Sequence, residues 1–376
     1  MTAPVYLDYN ATAKLRPQAR EAVLRALDLG ANPSSVHADG RAARALVEAA
    51  RAEVAALVAA RSEAVTFVSG GTEANALAIE SAVAVGVTRI IVGATEHDAV
   101  RANAQASGCA VEVWPVGANG VADLDWLDDR LANAPRTLVC LMLANNETGV
   151  IQPVAQAAKR VGNAGGLLHV DAVQAAGKVA IDIADLGADT LALSAHKLGG
   201  PQGVGALIAG PNAVLTRRLH GGGQERGRRA GTENVSGISG FGAAARAARD
   251  ALPELTAQSA WRDALALAVV AAGAEILGEA VPRLPQTLCF ATSGFISEIQ
   301  VMALDLAGVM VSAGAACSSG RVKPSPVIEA MGRSDLAAFS IRVSGGWASS
   351  VADWARCGDV WLGAYQTRSA RRREYA

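Results

Sequence analysis

The feature that most constrains the fold of this chain is a repeated alternation: short apolar runs, each ending in a polar cluster, separated by helix-patterned segments. Residues 64–69 run into Gly70-Gly71-Thr72, and residues 89–93 into Glu96-His97-Asp98. Residues 137–143 end at Asn145-Asn146-Glu147-Thr148-Gly149, residues 167–170 at Asp171, and residues 190–193 at Ser194-Ala195-His196-Lys197. Apolar strands alternating with helices predict an α/β chain with a mainly parallel sheet covered on both faces. Ligands of such sheets sit beyond the carboxyl ends of the strands, which is where every one of these clusters lies.

The intervening segments support the same architecture. A helix is predicted around residues 17–29, followed by the loop Asn32-Pro33-Ser34-Ser35. From Asp39, the positions Ala43, Leu46, Val47, Ala50, Val54, Leu57 and Val58 recur at three- and four-residue intervals and define a long amphipathic helix. The strand, Gly70-Gly71-Thr72 and the helix start after it form an anion site, because free N–H groups and the helix dipole meet where glycine permits close approach. A capped helix that holds nothing is the plainer reading of that segment alone. The segment ending at Lys197 presents an amine between an apolar run and Gly199-Gly200-Pro201. Partial burial or neighbouring cations would lower the pKa of such a lysine and make it reactive; taken alone, the segment also reads as a buried strand ending in a solvated lysine.

Composition narrows the class. Of 376 residues, 51% are hydrophobic and 18% charged with a formal net charge of -1, which describes a soluble globular chain with no general attraction to nucleic acid or anionic membrane. No apolar run approaches a membrane span and residues 1–8 lack the features of a signal peptide, so a cytoplasmic location is expected. Arg368, Arg371, Arg372 and Arg373 read as a solvated basic terminus. Five scattered cysteines without CxxC spacing argue against a disulfide framework or a metal site. Cys140 and Cys289 sit in apolar runs and read as core residues. Cys317 differs: it lies in Ser312-Ala313-Gly314-Ala315-Ala316-Cys317-Ser318-Ser319-Gly320, a small-residue run suited to a nucleophile that must travel, or simply to a loop thiol.

The second half changes pattern. The Gly- and Arg-rich run 220–232 has the wrong glycine spacing for a dinucleotide fingerprint, which excludes a nicotinamide dehydrogenase. A helix follows over about 235–250, a boundary falls near Leu252-Pro253, and residues 261–277 read as helix. Arg342 alternates like a strand residue and could be a carboxylate fork or a surface charge. The expected organisation is an N-terminal segment, 1–15, packing with the small domain; a large domain, 16–252; and a small α+β domain, 253–376, that carries the cysteine loop.

Together these segments resemble the cysteine desulfurases of the class V aminotransferase family, pyridoxal-phosphate (PLP) enzymes of the aspartate-aminotransferase-like fold. The resemblance rests on Tyr6-Leu7-Asp8-Tyr9-Asn10-Ala11-Thr12, Gly71-Thr72, His169-Val170-Asp171-Ala172-Val173-Gln174, Ser194-Ala195-His196-Lys197 and the Cys317 loop, and runs to about Ser350. It implies that Lys197 holds PLP as a Schiff base and moves the Cα proton. Asp171 would pair with the pyridine nitrogen, Gln174 with the phenolic oxygen, and His97 would stack on the ring and help with proton transfer as a catalytic residue. Gly71, Thr72, Ser194 and His196 would hold the phosphate, with Thr232 reaching it from the other subunit of a homodimer. Asn146 would bind both cofactor and substrate, and Arg342 the carboxylate of L-cysteine with a contribution from Asn32.

Cys317 would take the substrate sulfur as a persulfide and leave alanine; the sulfur would pass to an acceptor or iron-sulfur scaffold protein. No metal ligand set is implied. Ala13 stands where a second threonine is expected, and Ser344-Gly345-Gly346-Trp347 varies the usual ending after the arginine. The loop context suggests the subgroup with an extended cysteine loop. A selenocysteine lyase or another β-elimination enzyme of the same fold would share every cofactor residue, so Cys317 discriminates. A transaminase needs no such thiol, and an inactive relative would have lost part of the set.

Overall fold

The structure, a computed structural model, describes residues 3–132, 134–211, 213–314 and 324–374. Cys317 lies outside the described residues. A short strand β1 (Val5–Tyr6) precedes helices α1 (Pro17–Leu29) and α2 (Ala38–Leu57). Pro17 opens α1 where its missing N–H costs nothing, and Gly30 closes it in the left-handed conformation.

A seven-stranded sheet follows, built from β2 (Val65–Val68), β3 (Arg89–Gly93), β4 (Ala110–Trp114), β5 (Thr137–Cys140), β6 (Leu167–Asp171), β7 (Thr190–Ser194) and β8 (Gly205–Ala209). Its spatial order is β2-β8-β7-β6-β5-β3-β4. Neighbours from β7 across to β4 pair in parallel, whereas β8 is antiparallel to both β7 and β2. Helices α3 (Gly71–Ala84) and α4 (Asp98–Ala106) leave the ends of β2 and β3. Every residue of β2, β5 and β7 is buried. Ile91, Val139, Leu168, Leu191 and Ile208 join one hydrophobic core that also receives Val47 and Val54 of α2 and Phe241. β5 and β7 have ladder partners on both sides, whereas β2, at the sheet edge, has its outer main-chain groups satisfied by side chains: Arg51 Nη1 donates to Val65 O and Glu225 Oε2 accepts from Phe67 N.

The rest of the described chain has its own core. Strands β9 (Glu275–Ile276), β10 (Thr287–Ala291), β12 (Ser312–Ala313) and β13 (Ser340–Ser344) form an antiparallel sheet in the order β12-β13-β10-β9. Leu288, Phe290, Ile341 and Val343 of that sheet pack with Leu265, Trp354 and Trp361. Residues near the start of the chain belong to this core: β1 pairs in parallel with β11 (Val309–Met310), Leu7 is fully buried in it, and Asp8 bridges to Ser344. Cys140 and Cys289 are buried as the sequence suggests, and burial pushes both thiols up out of the reactive range. No helix among the described residues is long and apolar enough to cross a membrane.

Candidate active site

The polar ends of β2 and β7 meet around a cavity of about 350 Å³ lined by Thr12, Gly70, Gly71, Thr72, Ser194 and His196, among others. Its floor is the N-terminus of α3. Gly70 precedes the helix without a side-chain cap, and among the described residues no backbone acceptor outside the helix takes the first-turn N–H groups. A 14-residue helix therefore points its positive end and free donors into the cavity. A Cβ on Gly71 would lie 2.9 Å from Val173 Cγ2, so glycine lets the loop after β6 close on the helix start. His196 faces Thr12 Oγ1 through Nδ1 at 3.1 Å. Burial, with the charges of Lys197 and Lys178, lowers its pKa to about 4 and keeps it neutral.

Lys197 sits one turn past β7. Its Nζ donates to the main-chain oxygens of Asn10 (2.7 Å) and Ala11 (2.9 Å). Burial first, and then the Arg342 guanidinium, lower its pKa to about 8, against an opposing pull from Asp171 and Asp8. The amine is thus available in its nucleophilic form near neutral pH. Gln174 Nε2 donates to the same Asn10 oxygen at 2.9 Å, so Gln174 and Lys197 converge on one carbonyl.

Asp171 ends β6 with its side chain buried. Oδ2 accepts from Asn75 Nδ2 at 2.8 Å and Oδ1 from Val173 N at 2.9 Å. Asn75 Oδ1 faces His169 Nε2 at 2.9 Å, and His169 Nδ1 faces Thr190 Oγ1 at 2.9 Å. Burial depresses His169 to about pH 4, so the ring is neutral; Nε2 donates to Asn75, whose amide then donates to the carboxylate. Glu96 is buried nearby, its Oε1 accepting from Met142 N. Burial and then Asp171 raise its pKa well above the ordinary range, holding it neutral and keeping a second charge away from Asp171.

Arg342, on β13, approaches from the other core. Nη2 donates to Asp8 Oδ1 at 2.6 Å and Nη1 to Asn146 O at 3.1 Å. Among the described residues, two of the five guanidinium N–H groups are used and the buried Nε has no partner. A buried guanidinium with an unfilled edge is suited to an incoming carboxylate.

Three other sequence candidates, Asn32, His97 and Thr232, make no hydrogen bond to this cluster among the described residues, whereas Asn146 joins it. Asn32 is exposed in its loop, its Oδ1 accepting from Ser34 N at 2.8 Å, and it makes no hydrogen bond to the cluster. His97 is exposed at the start of α4, where Nδ1 accepts from Ala99 N at 3.0 Å and leaves Nε2 free to donate. Thr232 is exposed and lines a second cavity, of about 230 Å³, that shares Ser69 and Gly203 with the first. Asn146 is half-buried and enters the cluster through its main-chain oxygen, which also accepts from Asn10 Nδ2 at 3.2 Å. Asn75, His169, Lys178 and the central position of Asn10 do not follow from the sequence patterns.

A buried amine, a buried carboxylate, an amide donor and an uncapped helix N-terminus together fit PLP: aldehyde, pyridine nitrogen, phenolic oxygen and phosphate each find a chemical complement. Residues 5–353 match the family "Aminotransferase class-V", and the chain belongs to that family of PLP-dependent enzymes. A cysteine desulfurase of Cereibacter sphaeroides is 44% identical over 339 residues, covering 87% of this chain and 86% of that protein. One from Frankia sp. (strain EuIK1) is 42% identical over 384 residues, covering 95% and 90%. The crystal structure of a NifS-like protein from Rickettsia africae superposes with a TM-score of 0.88 at 32% identity, over 96% of this chain and 99% of that one. Within the class V family the chain falls among the cysteine desulfurases.

Proposed function

We propose that this enzyme converts L-cysteine to L-alanine with PLP and receives the sulfur on Cys317 as a persulfide. The observation that carries the reading is the convergence of Lys197, Gln174 and Arg342 on Asn10 and Asn146, across the junction of the two cores, beside Asp171. PLP, when bound, supplies an electron sink that weakens bonds at the substrate Cα and Cβ. Lys197 is the residue to attach it and afterwards to carry the Cα proton on Nζ, a task matched to an amine that titrates at about 8. Asp171, held by Asn75 and Val173, takes the pyridine nitrogen; Gln174 donates to the phenolic oxygen. Gly71, Thr72, Ser194 and His196 line the phosphate end, and His97 is the residue to stack on the ring face and help with proton transfer.

Because Asp8 already occupies part of Arg342, the substrate carboxylate takes the remaining N–H groups together with Asn146. Cys317 then attacks the substrate sulfur as a thiolate. The Cys317 Sγ–S bond forms as the substrate C–S bond breaks, and the released electron pair ends in a C–H bond of alanine. We read the enzyme as a homodimer in which exposed Thr232 reaches the partner's phosphate. The persulfide sulfur goes to a sulfur acceptor such as an iron-sulfur scaffold protein. The division at 1–15, 16–252 and 253–376 is supported by the two separate cores.

The test is mass spectrometry after brief exposure to L-cysteine, with alanine assayed in the same tube. Added sulfur on the Cys317 peptide matching the alanine formed supports the reading. A Cys317→Ser enzyme that releases sulfide at the wild-type rate refutes it and favours β-elimination.

A further inference from the structure

Lys178 has no role in the site assembled so far, yet it is one of its most buried polar groups, 5% exposed. A lysine normally keeps its amine in water, and burying one against neutral partners is costly. Nζ donates to Gln174 Oε1 at 2.7 Å and to Asn10 Oδ1 at 2.9 Å. Both acceptors are fixed from other directions. Asn10 Nδ2 is bound to Asn146 O and Thr287 Oγ1, and its Oδ1 also receives Gln286 Nε2. Asn10 is thus a rigid post, and Lys178 ties Gln174 to it.

The tie settles which end of the Gln174 amide faces the reactive lysine. With Oε1 held by Lys178, Nε2 points to the Asn10 carbonyl that also accepts from Lys197. When a ligand oxygen replaces that carbonyl as the acceptor of Nε2, the Lys178 contact keeps the amide from turning its oxygen toward the ligand. Donation into Oε1 also polarises the amide and strengthens Nε2–H as a donor. We propose that Lys178 is a positioning residue that locks Gln174 as a hydrogen-bond donor to the phenolic oxygen of the cofactor. This rests on the PLP reading given above.

The charged and titratable groups that face Lys178 are Lys197, Arg342 and His196, with Asp171 and Asp8 acting on Lys197 beside it, so a direct charge effect of Lys178 must be separated from an effect through Gln174. The experiment is a pH titration of the visible absorbance of bound PLP in wild type, Lys178→Met, Gln174→Leu and the double variant, with the PLP dissociation constant measured for each. A donor to the phenolic oxygen favours its anion and lowers the midpoint. Lys178→Met is therefore expected to raise the midpoint by about one pH unit and weaken PLP roughly tenfold, the size of one hydrogen bond to a charged group. In the Gln174→Leu background the same substitution should shift neither. Lys178→Gln keeps a donor for Oε1 and should lie closer to wild type; should Lys178→Met not fold, Lys178→Gln carries the comparison, with a smaller shift confined to the Gln174 background. An unchanged midpoint, or an equal shift in both backgrounds, overturns the proposal. Wild type without a visible band would overturn the cofactor reading instead.

Discussion

Preparing the enzyme free of cofactor and following attachment of PLP to Lys197 against pH tests the electrostatics of the site directly. Only the neutral amine reacts, so the attachment rate follows its fraction. An ordinary lysine, near 10.5, is about 0.03% neutral at pH 7, whereas one lowered to about 8 is roughly a tenth neutral, an advantage of about 300-fold. The rate should climb about tenfold per pH unit up to about 8 and then level off. Arg342 is the charge that lowers Lys197, and Asp8 opposes it. Arg342→Gln should therefore move the inflection up, and Asp8→Asn should move it down. The assay is stopped-flow absorbance, with borohydride trapping and peptide mapping to confirm that Lys197 is the residue modified. A profile that keeps rising to about 10.5, or an inflection indifferent to Arg342→Gln, refutes this account. The same shift has a stability counterpart. Between about 8 and 10.5 the unfolded chain holds more protons at this lysine than the folded, cofactor-free chain, so folding stability should rise with pH across that window.

Three further outcomes follow from packing. Arg51 and Glu225 form a buried bidentate pair at 2.7 and 2.8 Å, and Glu225 also accepts from Phe67 N; Arg51→Met, which strands the carboxylate, should cost about 3–5 kcal/mol in urea denaturation. Gly242 faces Ala50, whose Cα would lie 2.5 Å from an added Cβ, so Gly242→Ala should force α2 away and lower stability by about 1–3 kcal/mol in the same assay. Asn75→Leu leaves Asp171 Oδ2 and His169 Nε2 without partners. It should destabilise the fold by about 1–3 kcal/mol, and equilibrium dialysis should show weaker PLP binding.

The alternation of apolar runs and polar ends was enough to foresee the sheet and the strand termini at which Asp171 and Lys197 stand. Strand β8 is different: the link 195–204 between β7 and β8 is too short for a parallel crossover with a helix, so the two pair antiparallel. That length was a usable signal. The helix expected over 261–277 stops at Ala271 because Gly273, with φ +95°, turns the chain into β9. Asn75, His169 and Lys178 were not legible for a deeper reason. Each matters through what it satisfies in three dimensions, and the pairs Asn75–Asp171 and His169–Thr190 join strands and helices far apart in sequence. Lys178 did offer a clue in its spacing of four from Gln174, but that segment is a series of turns rather than a helix. Asn32 is placed with the substrate ligands by resemblance alone; its Oδ1 accepts from Ser34 N.

Residues 5–10 have a consequence for how this enzyme comes into being. Their strand partner is β11, Asp8 and Asn10 N lean on Arg342 and Ser344, and the Asn10 carbonyl is where Lys197 rests. During synthesis these residues leave the ribosome well before their partners in β11 and β13, which lie more than 300 positions later. Contacts of such sequence separation are slow to close, and the large sheet can form well before them. A nascent chain halted before β13 would hold the lysine, the phosphate cradle and Asp8, but not the Arg342 clamp that Asp8 anchors. Competence for catalysis should thus arrive late and abruptly, as β11 and β13 fold back onto residues 5–10.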